Sequence, residues 1–192
     1  MEILSLKELD EYLNKQGKNI VSCDVDLSDE ESLPDFFQNL IFEKNLIVNQ
    51  NIDFNFLPKK FDGNLFVGTN HFYTVRGDAI KSFDGFPTII NGRLHLANNF
   101  SSFAGLENTY IKNEFSFSLK GVRSFLYLPH FFKKKQAYYK GIVTFGQEKK
   151  DDYYLEILKN EYDFLKGKKE RVESLIQYVC ERDVSEILMD SF

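Results

Sequence analysis

The chain has 192 residues and a mass of 22.5 kDa, enough for one domain, or one domain with a small appendage, and too little for two large ones. A hydrophobic fraction of 43% excludes disorder as the dominant state, and 20 Phe and 10 Tyr against no Trp and 2 Met mean that phenylalanine must fill much of the core. Residues 151–192 carry 6 Lys/Arg against 11 Asp/Glu and so hold the whole net charge of −5; the balanced remainder, 18 of each sign, argues against a nucleic-acid binder, which needs lysine and arginine to displace phosphate counterions. No apolar run approaches the roughly 18 to 20 residues that span a bilayer, and residues 1–18 are charged and amphipathic where a signal peptide would be apolar. Cys23 and Cys180, far apart, assemble neither a disulfide framework nor a Cys-rich zinc site and read as small buried hydrophobes. The expectation is a protein of the cytoplasm with no membrane association.

In chain order, the first predicted element is a short helix. Ser5-Leu6-Lys7-Glu8 is a capping box, Leu6, Leu9 and Leu13 fall on one face, and Gly17 ends it. The acidic stretch Asp24, Asp26, Asp29, Glu30, Glu31 and Asp35 has the spacing of a calcium loop at its start, but Asp29 stands where such a loop needs glycine. A solvated helix start, favoured by the helix dipole, is the preferred reading. Ser28 to Glu31 is a second capping-box match, and Leu33, Phe36, Phe37, Leu40 and Ile41 form the expected buried helical stripe behind it.

The middle of the chain repeats itself. Residues 57–70 overlay residues 86–99 without a gap, so that Pro58 falls on Pro87, Gly63 on Gly92, Leu65 on Leu94 and Asn70 on Asn99; the second half of the unit also occurs upstream as residues 46–51. A connector recurs as Ser82-Phe83-Asp84-Gly85-Phe86, Ser102-Phe103-Ala104-Gly105-Leu106 and Ser118-Leu119-Lys120-Gly121-Val122. Strand periodicity turns Leu46 and Val48, Leu65 and Val67, Leu94 and Leu96 into one interior. Phe42, Phe61 and Ile90, four residues earlier, form a further apolar column. Asn51, Asn70 and Asn99 are expected at turns, where the amide can satisfy free backbone groups, and the glycines supply turn geometries closed to residues with a Cβ. Degenerate later coils are expected at Thr109-Tyr110-Ile111 and Leu126-Tyr127-Leu128. The two best coils lie 29 residues apart, against 19 before them, which implies an insertion of roughly ten residues at 71–80, projecting as a loop.

This unit resembles the short leucine-rich-repeat-like arrays that read Ser-Leu-x-Gly-x-Pro, an aliphatic residue, Gly, a short strand and Asn-Asn, familiar from tailed-phage and bacterial genomes. Residues 81–99 fit it nearly throughout, with Phe83 for the usual leucine, and the resemblance covers residues 46–128. It departs from the pattern in its irregular coil lengths and in a fourth coil where Glu114 stands near the expected asparagine. The resemblance implies a fold and a tendency to bind proteins, and brings no catalytic residues with it.

Beyond residue 128 a strand is expected over residues 140–145. Two helical patterns follow, on Tyr154, Leu155, Leu158, Tyr162 and Leu165 and on Val172, Leu175, Ile176, Val179 and Cys180, with Gly167 between them. The fold class expected is therefore α+β: a short leucine-rich-repeat-like β-solenoid over residues 45–128, an N-terminal helical cap over 1–44, and a C-terminal strand and helical hairpin over 129–192. That hairpin is expected to close the open end of the array; a partner-binding or dimerising arm is its other use.

Candidate chemistry is sparse. His71, His95 and His130 have no Cys, Asp or His at metal-ligand spacing, and His95, alternating with Leu94 and Leu96, should be a surface histidine. No phosphate loop, nucleophile elbow or HExxH element occurs, so no catalytic residue, metal or cofactor is expected. Arg76-Gly77-Asp78 spells an integrin tripeptide and reads simply as a turn. The outward strand positions are more informative. Ile47, Phe66, His95, Tyr110 and Tyr127 are expected to form an exposed row suited to protein binding, with Phe72, Tyr73 and Arg76 of the inserted loop beside it. Cover from the C-terminal segment or from a homodimer partner is the competing use of that row. The expectation is a non-enzymatic, phage-encoded module that docks on a host or phage protein, with inhibition of a host defence protein as one outcome; the alternative is a structural or assembly protein that self-associates through the aromatic row, and a third is an enzyme or nuclease whose site is too dispersed to recognise.

Overall fold

Short strands recur in pairs along the whole described chain. The structure, a computed structural model, describes residues 3–68, 80–96, 100–117, 122–124, 126–127, 129–131 and 139–141. Its elements are β1 (Ile3–Leu4), α1 (Leu6–Gln16), β2 (Ile20–Val21), β3 (Asp24–Leu27), β4 (Ile41–Phe42), β5 (Asn45–Val48), β6 (Lys60–Phe61), β7 (Asn64–Val67), β8 (Ile89–Ile90), β9 (Arg93–Leu96), β10 (Tyr110–Ile111), β11 (Glu114–Phe117), β12 (His130–Phe131) and β13 (Tyr139–Gly141), with 3-10 turns at Asp35–Asn39 and Phe54–Phe56.

The odd-numbered strands make one seven-stranded sheet in the order β1-β3-β5-β7-β9-β11-β13, and the even-numbered ones make a two-stranded sheet, β2-β4, and a four-stranded one, β6-β8-β10-β12. Every pairing is parallel and joins a strand to its equivalent one turn of chain earlier. Parallel neighbours need a long crossover, and here each crossover passes through the other set of strands. The Asp62 and Gly63 amides both donate to the Phe42 carbonyl, at 3.2 and 2.8 Å, and so tie the two-stranded sheet to the four-stranded one.

Register explains the repeat. Val25, Leu46, Leu65, Leu94 and Phe115 are successive partners in the large sheet, as are Leu27, Val48, Val67, Leu96 and Phe117. All ten are buried, as expected for Leu46 to Leu96. The column Phe42, Phe61 and Ile90 is also fully buried and continues into Ile111, with Phe42 and Phe61 stacked at 5.6 Å. Burying each such side chain contributes about 1.5–3 kcal/mol before the entropy of ordering it is subtracted.

Connectors add a third apolar column. The carbonyls of Phe54, Phe83 and Phe103 accept from the amides three residues on, Leu57, Phe86 and Leu106, at 3.1, 3.0 and 2.9 Å. Just before each, Asp53 Oδ1, Ser82 Oγ or Ser102 Oγ accepts the amide two residues on, a local turn that leaves the phenylalanine ring pointing into the core. Gly85 and Gly105, at φ 76° and 96°, occupy the left-handed region as their place in the connector requires. Gly63 serves differently: a Cβ there would lie 2.7 Å from the Lys44 backbone carbon and nitrogen, so the glycine lets one turn of chain settle on the previous one.

The helix α1 forms as its capping box predicts. Glu8 accepts from the Ser5 amide and hydroxyl at 2.8 and 2.7 Å, Gly17 at φ 62° donates to the Leu13 carbonyl, and Leu9 is fully buried against the core, with Leu6 and Leu13 half-buried. The second predicted helix does not form. Residues 33–41 are instead a 3-10 turn followed by β4, with Leu33, Phe37 and Leu40 buried and Phe36 and Ile41 exposed. Pro34, extended at ψ 153°, precedes the turn, and residues 41 and 42 must pair with Ile20 and Val21, which leaves no length for an α-helix.

The sheet is also continuous across position 45, because β3 pairs with β5, and β1 with β3. The later coils lie in a different register from the one expected: Tyr110–Ile111 is β10, paired with Ile89–Ile90, and the strand beside β9 is Glu114–Phe117. The spacing of 21 that places Phe115 on Leu94 also places Tyr110 on Ile89, so Tyr110 cannot belong to the His95 row. Beyond residue 128 the described strands are β12 and β13; the predicted helical hairpin, with Cys180, lies outside the described residues.

Candidate partner-binding surface

The expected outward row is in register but is not a surface. Ile47 pairs with Phe66, Phe66 with His95 and His95 with Ser116, and the Phe66 and His95 rings lie 5.9 Å apart. Yet Ile47, Phe66 and His95 are only 5%, 2% and 5% exposed. A parallel sheet is ordinarily covered on both faces, so outward from one core does not mean solvent. His95 is likewise not a surface histidine. Burial, and then the neighbouring Arg93 charge, lowers its pKa to about 4, so the imidazole is neutral at pH 7.

Tyr110 and Tyr127 are exposed as expected, but neither stands in that row. Tyr110 is on β10 and Tyr127 occupies a turn at φ 64°. Phe72, Tyr73 and Arg76, with His71 and the whole 71–79 stretch, lie outside the described residues.

An exposed row does occur, on the two-residue strands. Ile20 stands beside Ile41, Lys60 beside Ile89, and Ile89 beside Tyr110, while the Phe42–Phe61 stack carries the series from Ile41 to Lys60. Ile20, Ile41, Ile89 and Tyr110 are 37 to 44% exposed, whereas the residue after each rung, from Val21 through Phe42, Phe61 and Ile90 to Ile111, is fully buried. Period-two alternation is thus complete, but over two residues only, too short for a pattern search along one strand. Aligning the buried column Phe42, Phe61 and Ile90 and stepping back one residue would have found it.

Polar ladders flank the row. Ser22 Oγ donates to Glu43 Oε2 and Asn91 Nδ2 to Asp62 Oδ1, each at 2.6 Å, and Lys60 Nζ lies 2.9 Å from Asp62. The bonds from Lys60 and then Asn91 hold the Asp62 carboxyl below its ordinary pKa. A second ladder opens the four-residue strands: Asn45 N donates to Asp24 Oδ1, Asn64 Nδ2 to Asn45 Oδ1, and Arg93 N to Asn64 Oδ1, at 3.1, 2.7 and 2.7 Å. The turn role expected of Asn51 belongs to Asn49. Its Oδ1 accepts the Asn51 amide at 2.9 Å and its Nδ2 donates to the Ser28 carbonyl at 3.1 Å, while Asn70 and Asn99 lie outside the described residues.

The acidic run 24–35 is divided between strand and turn, with Asp24 and Asp26 each accepting a backbone amide. Among the described residues no group of three His, Cys, Asp or Glu could hold a metal ion, and no helix is long and apolar enough to cross a membrane. No family model, curated protein or solved structure matches the chain.

Proposed function

We propose that the chain is a short leucine-rich-repeat-like solenoid that works as a non-enzymatic protein-binding module. The fold reading is supported by the coincidence of the Leu-x-aliphatic repeat with one-turn parallel register, together with the recurring phenylalanine connector. The binding reading is carried by one observation: a line of large side chains, apolar apart from Lys60, left in solvent on the two sheets of short strands while the residue behind each rung is fully buried. Such a line on a fixed backbone offers contact area at little cost in conformational entropy. The proposed setting is a phage-encoded protein that docks on a host defence protein in the cytoplasm and inhibits it, with Phe72, Tyr73 and Arg76 of the 71–80 insertion as further candidate contacts. Self-association as an assembly protein through the aromatic row is the alternative reading, and the burial of Ile47, Phe66 and His95 lends it less support.

The test is affinity capture from the native host, followed by reconstitution with the purified partner and mass measurement by light scattering. A defined heterocomplex is the expected outcome. A chain found only as its own oligomer, with no stoichiometric partner, contradicts the reading.

A further inference from the structure

The exposed row is flanked by more cationic than acidic side chains. On the rungs and the residues flanking them, from one before to three after, the charged groups are Lys44, Lys59, Lys60 and Lys112 against Glu43 and Asp62, in a chain whose net charge is −5. Asp62 is paired with Lys60, which leaves Lys44, Lys59 and Lys112 against Glu43, whose carboxylate accepts from Ser22. The apolar line is therefore edged by a positive field, and a partner of complementary chemistry must be apolar along its centre and acidic at its sides.

Spacing selects the form of that partner. Rungs on neighbouring strands lie about 4.8 Å apart, and one turn of α-helix rises about 5.4 Å, so a helix laid across the strands meets nearly every rung with one residue per turn. The five rungs whose side chains are described, Ile20, Ile41, Lys60, Ile89 and Tyr110, would take roughly four turns of an i, i+3/i+4, i+7 stripe. A partner strand added by backbone pairing would instead sit at a sheet edge, and the row lies across the sheet face. Resting on the binding-module reading above, we infer that this row is the seat of an acidic amphipathic helix from a partner protein, with its carboxylates facing Lys44, Lys59 and Lys112 along the edges of the row.

The probe is a fluorescein-labelled synthetic helix of about 18 residues, with leucine once per turn and glutamate on both flanks. Its controls are the same peptide with lysine for every glutamate, and phosphatidylcholine vesicles containing about one-third phosphatidylserine. Fluorescence anisotropy with the full chain should show saturable binding of the glutamate peptide, weakened by added salt, and none of the lysine peptide. Ile41→Glu with Ile89→Glu, and separately Lys60→Glu, should weaken it by at least about tenfold, as should Ile41→Ser with Ile89→Ser, which adds no charge; circular dichroism checks that all remain folded. Equal binding of both peptides, no binding of either, binding of the vesicles alone, or affinity untouched by these substitutions overturns the inference. A host protein captured at full strength by the Ile41→Glu/Ile89→Glu chain overturns this seat and leaves the binding-module reading standing, whereas failure to find any partner counts against that reading itself.

Discussion

The two sets of strands repeat with the same spacings and meet the same core, yet they differ in what covers their outer faces. Over the last three positions of the four-residue strands β5, β7 and β9 the alternation between inward and outward positions leaves no contrast in burial: Leu65 and Phe66 are both buried. In the two-residue strands the contrast is complete, with Ile89 in solvent and Ile90 sealed. The difference teaches that a repeat tells which residues share an environment, since Ile47, Phe66 and His95 do share one, without telling whether that environment is water. The row with the more aromatic composition is part of the interior, and the plainer row of isoleucines with one lysine and one tyrosine is the surface.

Charge placed on the two rows separates them most strongly. Phe66→Glu should cost at least about 4 kcal/mol or abolish folding, because it buries an unpaired carboxylate. Ile89→Glu should change stability by no more than about 0.5 kcal/mol. Urea titration of both variants checks the pair. Phe61→Ala removes a ring from beneath the exposed row and should destabilise by about 3–5 kcal/mol in the same assay, showing that the residue behind a rung is core even where the rung is not.

The His95 row also sets a pH dependence. The folded imidazole titrates near 4 and the unfolded one near 6.5, so the unfolded state binds more protons between these values. The contribution is full above about pH 6.5, declines as pH falls toward 4 and is flat below, amounting to about 3 kcal/mol. His95→Phe should therefore lose less stability between pH 7 and 5 than the parent chain does, measured by urea midpoints at each pH. A smaller loss than that of Phe61→Ala is expected at the strand-start ladder. Asn64→Ala leaves Asn45 Oδ1 and the Arg93 amide without this partner and should cost about 1–2 kcal/mol in thermal unfolding at neutral pH.

Much of the fold was legible because packing columns leave period-specific marks: the Leu-x-aliphatic strands, the Phe42, Phe61 and Ile90 column, the Ser-Phe-x-Gly connectors and the capped helix α1 all stand where the residues indicated. Asp53-Phe54-Asn55-Phe56 belongs to the same connector set and was overlooked because aspartate replaces serine and no glycine follows. The second helix was misread because a capping box and an apolar stripe are local signals, and Pro34 with the demand to pair Ile41 and Phe42 outweighs them. The register of Glu114–Phe117 is obscured in the sequence because phenylalanine stands at both core positions, while the Tyr110 dipeptide mimics a longer strand. The candidate surface was the least legible part, since exposure depends on what lies over a face and the strand pattern does not record that.

Hydroxyl-radical footprinting of the native chain, read by mass spectrometry, tests the contrast most directly. Ile20, Ile41, Ile89 and Tyr110 should be oxidised readily while Ile47, Phe66 and Phe61 are protected until the protein unfolds. Protection of the first set together with rapid oxidation of Ile47 and Phe66 would contradict the account.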